Sequence, residues 1–276
     1  MLEPIKRTLH KYLGPKIIEV PFKEYLEGRI PTPFVDSLSD EDLVELNTIL
    51  KWNCFTVDGR GRRFGDAAWK GKREKPQTIP DFRLPILRER FDLSQSHVVE
   101  VGCFEGVHTV GLCQNAAHVT AVDARVENVV KTIIRCAFFD HHPRVFKFDL
   151  EEADTDYSRL NSDVLHHVGV LYHLQNPVKH LKGMGSWVKQ GLLLDTHFSL
   201  PEQATETYEC EGKTYRCRRK NEFGHADVFS GTKNFSRWLL LEDIERLLTE
   251  AGFKNIEIID RREQRNGPRV LLVAKR

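Results

Sequence analysis

Residues 97–106 read His-Val-Val-Glu-Val-Gly-Cys-Phe-Glu-Gly, an apolar strand that runs into a glycine turn. A second apolar run, Val119-Thr120-Ala121-Val122, ends in Asp123, seventeen residues past Gly106. A carboxylate that closes the second strand of a βαβ unit grips a ribose diol, so this spacing points to a nucleoside. A dinucleotide fingerprint needs G-x-G-x-x-G, because its second glycine lets the backbone touch a pyrophosphate. Here Phe104 stands at that position and the glycines fall at 102 and 106. A nucleoside without a pyrophosphate, such as S-adenosylmethionine, fits the turn better.

A second group of reactive residues follows the fourth strand, which reads Asp163 to His173 and continues Leu174-Gln175-Asn176-Pro177. His173 stands just past the strand end, where a histidine can act as general base toward a hydroxyl acceptor. Tyr172 precedes it. His197, at the end of the fifth strand, is a further substrate-side candidate, whereas His166 and His167 lie mid-strand and at least one must be buried. No metal site is expected: His166, His167 and His173 share one strand, with no local carboxylate at ligand spacing.

The turn resembles motif I of the class I S-adenosylmethionine-dependent methyltransferases, an acidic residue followed by G-x-G-x-G. Glu100, Gly102 and Gly106 match it and Phe104 departs from its middle glycine. The resemblance implies that Glu100 holds the methionine part of the cofactor. It implies too that Gly102, Cys103, Phe104 and Gly106 form the cofactor turn, that Asp123 takes the ribose and that Asp149 contacts the adenine amino group. Gly169, at the end of the fourth strand, joins that set. The run Gly169-Val170-Leu171-Tyr172-His173 is similar to the family that modifies wobble uridine in tRNA with carboxy-S-adenosylmethionine. That likeness implies a role for Tyr172 in binding a cofactor carboxylate and makes Trp69 a loose candidate for an upstream contact.

These residues need a scaffold, and the chain supplies a regular one from residue 97. Strands fit at 97–101, 118–122, 144–148, 163–170 and 191–196, with helical patterns at 106–115, 125–139 and 176–189. That alternation implies an α/β fold with a doubly wound parallel sheet. Leu241–Ala251 reads as a helix stopped by Gly252. The last two strands, Ile256–Asp260 and Val270–Ala274, bracket Asn266-Gly267-Pro268, so a tight turn makes them antiparallel. The expected whole is the seven-stranded class I sheet with its last strand antiparallel, residues 97–276, interrupted by an irregular polar insertion at 199–237. Residues 1–96 form a substrate-side cap, with helices starting at Ser39-Asp40-Glu41-Asp42 and over Asp81–Arg90.

With 276 residues, 40% of them hydrophobic, the chain can bury one full core and an accessory region. The net charge of +1 gives no global argument for nucleic acid, and no DNA partner is expected. The insertion mixes Tyr208, Tyr215, Arg216, Arg218 and Arg219, which suits an anionic or sugar-bearing small molecule and also RNA bases and phosphates. A small-molecule or saccharide methyltransferase, with Arg218 on the acceptor, is therefore the leading expectation. A tRNA wobble-uridine enzyme is the alternative. A non-catalytic binding subunit is disfavoured by the intact Glu100, Asp123 and Tyr172-His173 set. Six cysteines without C-x-x-C spacing suggest reduced thiols in the cytoplasm. No stretch approaches the ~18 apolar residues of a membrane span, and the oligomeric state is open.

Overall fold

The computed structural model describes residues 30, 32–65, 74–152 and 155–276. Trp69 and its basic neighbours Lys70, Lys72 and Arg73 lie outside the described residues.

Seven strands form the main sheet: β3 (His97–Val101), β4 (His118–Asp123), β5 (Arg144–Lys147), β6 (Ser162–Val168), β7 (Val188–His197), β11 (Asn255–Gln264) and β12 (Gly267–Lys275). Their order across the sheet is β11-β12-β7-β6-β3-β4-β5. β3 to β7 are mutually parallel, and β12 runs antiparallel to both β7 and β11. This is the expected class I arrangement.

Parallel strands covered on both faces must be apolar on both, which explains the unbroken valine and leucine runs. Val99, Val101, Leu165, Leu192 and Leu194 face one layer, packing with α5 (Pro177–Gly183) and α6 (Leu241–Glu250) through Val178, Leu181, Ile244 and Leu247. Val98, Val164, Leu193 and Leu271 face the other layer, where α2 (Arg83–Arg90) adds Leu84 and Leu87. Each such side chain, fully buried, is worth about 1.5–3 kcal/mol relative to exposure. Sequence spacing puts α2 with the N-terminal cap; in the fold it is one of the sheet's covering helices.

The remaining N-terminal residues pack as a third cluster. Val35, Leu43, Trp52 and Phe64 meet Val107 and Val110 of α3 (Val107–Cys113) and Cys136 of α4 (Val126–Phe138). The helix expected after Ser39 is α1 (Asp40–Ile49), capped by the Ser39 hydroxyl accepting from the Asp42 amide. A two-strand ribbon, β1 (Thr56–Val57) with β2 (Arg63–Phe64), completes this part.

Three boundaries differ from expectation. The helix placed at 176–189 ends at Gly183, and β7 already starts at Val188. Gly185 lies between them, where a Cβ would come 2.4 Å from the Ala251 carbonyl oxygen, so only glycine permits the approach. β11 and β12 extend beyond the expected ends, to Gln264 and back to Gly267. The insertion is not irregular: β8 (Glu206–Cys210), β9 (Lys213–Asn221) and β10 (Phe235–Leu239) form a three-stranded antiparallel sheet. Glu211 (φ 51°) and Gly212 (φ 73°) make the two-residue turn that matches strand twist. Tyr208, Tyr215 and Cys217 point inward to the core, which the polar outer face conceals in the sequence.

Candidate active site

The sheet order reverses between β3 and β6, and open α/β sheets bind ligands at the carboxyl ends of the strands flanking such a point. A cavity of about 440 Å³ opens there. Its wall consists of residues 102–105, 122–125, 148–151, 168–170 and 172–174, roofed by 228–232 from the insertion.

The motif turn forms one wall. Gly102 (φ 70°) and Gly106 (φ 80°) adopt the left-handed conformation. A Cβ on Gly102 would fall 2.3 Å from Val170 Cγ2, and one on Gly106 3.0 Å from the Thr132 backbone. Phe104 also has φ 51°, in the left-handed region that glycine adopts without strain. That conformation costs an ordinary residue roughly 1–2 kcal/mol. The Phe104 amide offsets this by donating to Asp123 Oδ2 (3.1 Å), and its ring packs on Phe229 with centroids 5.5 Å apart.

Asp123 ends β4, 8% exposed, with Oδ1 accepting from the Arg125 amide at 2.9 Å. Burial raises its carboxyl above the usual aspartate range, against the hydrogen bonds from Arg125, Asn128 and Phe104. Three N–H donors thus reach the two oxygens, which together have about four lone-pair sites, so acceptor capacity remains for a ligand hydroxyl. The Arg125 guanidinium holds the roof, donating to the carbonyls of Gly224 (2.8 Å), Asp227 (3.0 Å) and Ser230 (2.9 Å).

His173 lines the opposite wall. Its Nδ1 lies 3.0 Å from Glu222 Oε1. An ionised carboxylate only accepts, so Nδ1 carries the proton and Nε2 is left as the basic nitrogen. Burial would raise the Glu222 carboxyl, but His173, the Ser230 hydroxyl and the Gly231 amide outweigh it and hold it down to about 2. Ser236 adds a hydrogen bond at 2.8 Å. Glu222 lies 49 residues from His173 at the end of β9, and no local motif marks it in the sequence.

Of the residues singled out in the sequence, Gly102, Cys103, Phe104, Asp123, Asp149, Gly169, Tyr172 and His173 line the cavity. Gly106 sits behind the turn against Thr132. Glu100 is 1% exposed and lies behind the wall: Thr109 donates to its Oε2 at 2.5 Å, and its Oε1 is 3.8 Å from the Nδ1 atoms of both His108 and His166. Burial pushes the Glu100 carboxyl up to about 7, opposed by the Thr109 hydrogen bond.

His197 and Arg218 do not belong to the wall. His197 is 3% exposed, bonded through Nδ1 to the Pro268 carbonyl (3.0 Å) and stacked on Trp238. Its ring meets Tyr172 edge-on with centroids 4.7 Å apart, so it props the tyrosine rather than a substrate. Burial and the Arg269 charge lower it to about 4. Arg218 donates to Gln203 Oε1 (2.8 Å) and lies over Trp238, because β9 carries it to the far side of that indole.

Two further features had no signal in the sequence. Asp195, fully buried in β7, is hydrogen-bonded by Arg83, Arg262 and Arg269, which all line the cavity. Burial would raise Asp195, but these guanidinium groups carry it below the ordinary range. Glu105, the other acid of the turn, accepts from the amides of Asn53 (2.9 Å) and Cys54 (3.0 Å) and pairs with buried Lys131 (2.9 Å). It fastens the N-terminal cluster to the motif turn.

A doubly wound sheet with a glycine turn, a strand-end carboxylate and a glutamate-backed histidine at one cavity is the architecture of an α/β nucleotide- or nucleoside-binding fold. The chain belongs to a methyltransferase family: the model for a methyltransferase domain matches residues 71–258, which takes in α2, the five parallel strands and the insertion. Among solved structures, the N-terminal domain of EvdMO1 with SAH bound is similar at 21% identity and TM-score 0.61, over 75% of this chain and 88% of that one. The same domain in the presence of SAH and D-fucose aligns over the same shares with TM-score 0.58. Magnesium protoporphyrin IX methyltransferase from Synechocystis PCC 6803 with bound SAH gives 18% identity and TM-score 0.50, over 70% of this chain and 80% of that one. At these identities the likeness is one of fold. No relative among proteins of curated function matches the sequence.

Proposed function

We propose that this protein transfers a methyl group from S-adenosylmethionine to a hydroxyl of a small-molecule or saccharide acceptor. The observation that carries the reading is His173, held through Nδ1 by Glu222, lining the same cavity as Asp123 and the motif turn. The residues fit the cofactor. Asp123 is a buried carboxylate with acceptor capacity left for a ribose diol, and Asp149 stands on the cavity wall for the adenine amino group. Gly102, Cys103, Phe104 and Gly169 offer backbone rather than bulk to the ligand. Glu100 lies behind the wall, so its contact with the methionine part runs through a water.

S-adenosylmethionine supplies an electrophilic methyl group on a sulfonium. His173 Nε2 would take the acceptor's hydroxyl proton as the methyl carbon passes from sulfur, which leaves as the thioether of S-adenosylhomocysteine, to that oxygen. Glu222 would stabilise the resulting imidazolium. The roof held by Arg125 excludes water, which would otherwise screen these charges. The similar EvdMO1 domain, studied in the presence of SAH and D-fucose, supports a saccharide among the acceptors.

A second reading is favoured by one observation. The Arg269 guanidinium lies 5.4 Å over the Tyr172 ring, and Arg83 and Arg262 share the same cavity end. A cationic wall beside Tyr172 suits a cofactor carboxylate and hence carboxymethyl transfer to tRNA. One experiment tests both: the nucleoside carried through native purification is identified by mass spectrometry, then labelled cofactor is offered with hydroxylated sugars or with total tRNA. Label transfer to a sugar supports the first reading. A carboxylated nucleoside with transfer to tRNA overturns it.

A further inference from the structure

On sequence spacing the histidines of the fourth strand have no carboxylate partner, but the parallel pairing of β3 with β6 sets Glu100 directly beside His166. The first turn of α3 brings His108 over the pair, with the two imidazole rings edge to face at 5.3 Å. We propose that Glu100, His108 and His166 form a binding site for a divalent transition-metal ion. One donor atom from each residue lies within 4.8 Å of the other two. A tetrahedral zinc ion with bonds of about 2.0–2.2 Å sets its ligands roughly 3.4 Å apart. Drawing these three together by at most about 1.5 Å meets that geometry, a movement within side-chain torsion reach.

Three details favour an ion over a hydrogen-bonded core. Among the described residues the Nδ1 atom of His166 has no hydrogen-bond partner although the residue is 2% exposed, and unpaired buried nitrogen is costly. Thr109 fixes Glu100 Oε2, which leaves Oε1 aimed at the two imidazoles, as an outer hydrogen bond orients a ligating carboxylate. His108 turns Nδ1 toward the same Glu100 oxygen at 3.8 Å that faces His166, so one carboxylate oxygen is shared by both imidazoles. With the Arg83 guanidinium donating to its Nε2 (3.3 Å), the ring holds its proton on Nδ1 and gives it up when an ion binds. The nearest cation, Arg83, is compensated by Asp81 and Asp195. Two imidazoles and one carboxylate suit Zn²⁺ and its neighbours in the first transition row. His108 is on the cavity wall, so the free coordination position opens toward the ligand cavity.

The inference stands apart from the transferase reading, because metal alone is the probe. Chelator-stripped full-length protein is titrated with Zn²⁺ by calorimetry and with Co²⁺ by visible absorption. The expected result is saturable binding with tetrahedral cobalt bands, weakened at least about tenfold in His108→Gln and in Glu100→Gln. His108 is partly exposed, so its replacement leaves the core packed even if Glu100→Gln unfolds. Absence of saturable binding, or binding of equal affinity and spectrum in folded His108→Gln, would overturn the site.

Discussion

The two walls of the cavity are built in different ways. Most of the cofactor wall comes from one stretch, residues 97–125: a strand, a turn in left-handed backbone, a helix, a second strand and its terminal carboxylate, with Asp149 and Gly169 added past the ends of β5 and β6. The acceptor wall is assembled from distant elements. His173 follows β6 and is backed by Glu222, just past β9 of the insertion, Arg83 comes from α2, and Arg262 and Arg269 come from the last two strands. The first wall is set by local steric rules, and the second by how the insertion and sheet edge dock. Substitutions on the first should therefore alter cofactor affinity, and on the second turnover and pH dependence.

The joint beneath the cofactor wall should give the largest effect. Glu105→Ala leaves the amides of Asn53 and Cys54 and the buried Lys131 ammonium without their acceptor. Breaking such a pair typically costs about 3–5 kcal/mol. Lys131 retains Glu127 at 2.6 Å, which places the expected loss near the lower end. Urea unfolding followed by circular dichroism measures it, and an unchanged midpoint would show that the N-terminal cluster is held by packing alone.

His173→Ala should lower turnover by about 10²–10⁴-fold, the usual range for lost general-base catalysis, with S-adenosylhomocysteine affinity preserved. Full turnover in the folded variant would remove the base from the acceptor wall and leave the cofactor wall intact. Asp123→Ala should do the reverse. Affinity for S-adenosylhomocysteine should fall about tenfold to a hundredfold, the worth of a charge-assisted hydrogen bond. Calorimetry on the folded variant decides it.

Glu222→Gln keeps the shape of the His173 contact and removes the charge. Loss of the carboxylate removes the charge that stabilises the imidazolium, so turnover should fall about tenfold. The same carboxyl is held at about 2 in the fold against an ordinary 4.5. Its stabilisation is thus complete above 4.5 and fades as pH falls through about 2. Wild type should lose more stability than Glu222→Gln over that window, and parallel curves would contradict the hydrogen-bond arrangement. Arg218→Ala should have the smallest effect, within about twofold on the acceptor's Michaelis constant, as for a surface change away from such features. A larger rise would mean that the far face of Trp238 belongs to the acceptor path after all.

How much of this was legible follows the same division. The strand-turn-helix unit around Gly102 and Gly106, the carboxylate at Asp123 and the antiparallel end of the sheet could be read from spacing, because strand period, turn stereochemistry and βαβ handedness act over a few residues. Even the departure at Phe104 resolves locally, as the backbone there stays in the left-handed region that favours glycine. Tyr172 and His173 were visible through a short motif, and both reach the cavity. Glu222, Asp195 and the arginines around it were not. A buried carboxylate acquires its role from the cations and N–H groups that packing brings to it, and those lie tens of residues away. His197 and Arg218 show the converse: histidine and arginine types fit a substrate site, yet their strands turn them onto Trp238. The sequence by itself determined the sheet, the cofactor turn and the candidate base. Tertiary structure alone decided which charges face that base, which acid became the joint of the N-terminal cluster and which histidines stand beside Glu100, since each depends on strand neighbours the chain order does not reveal.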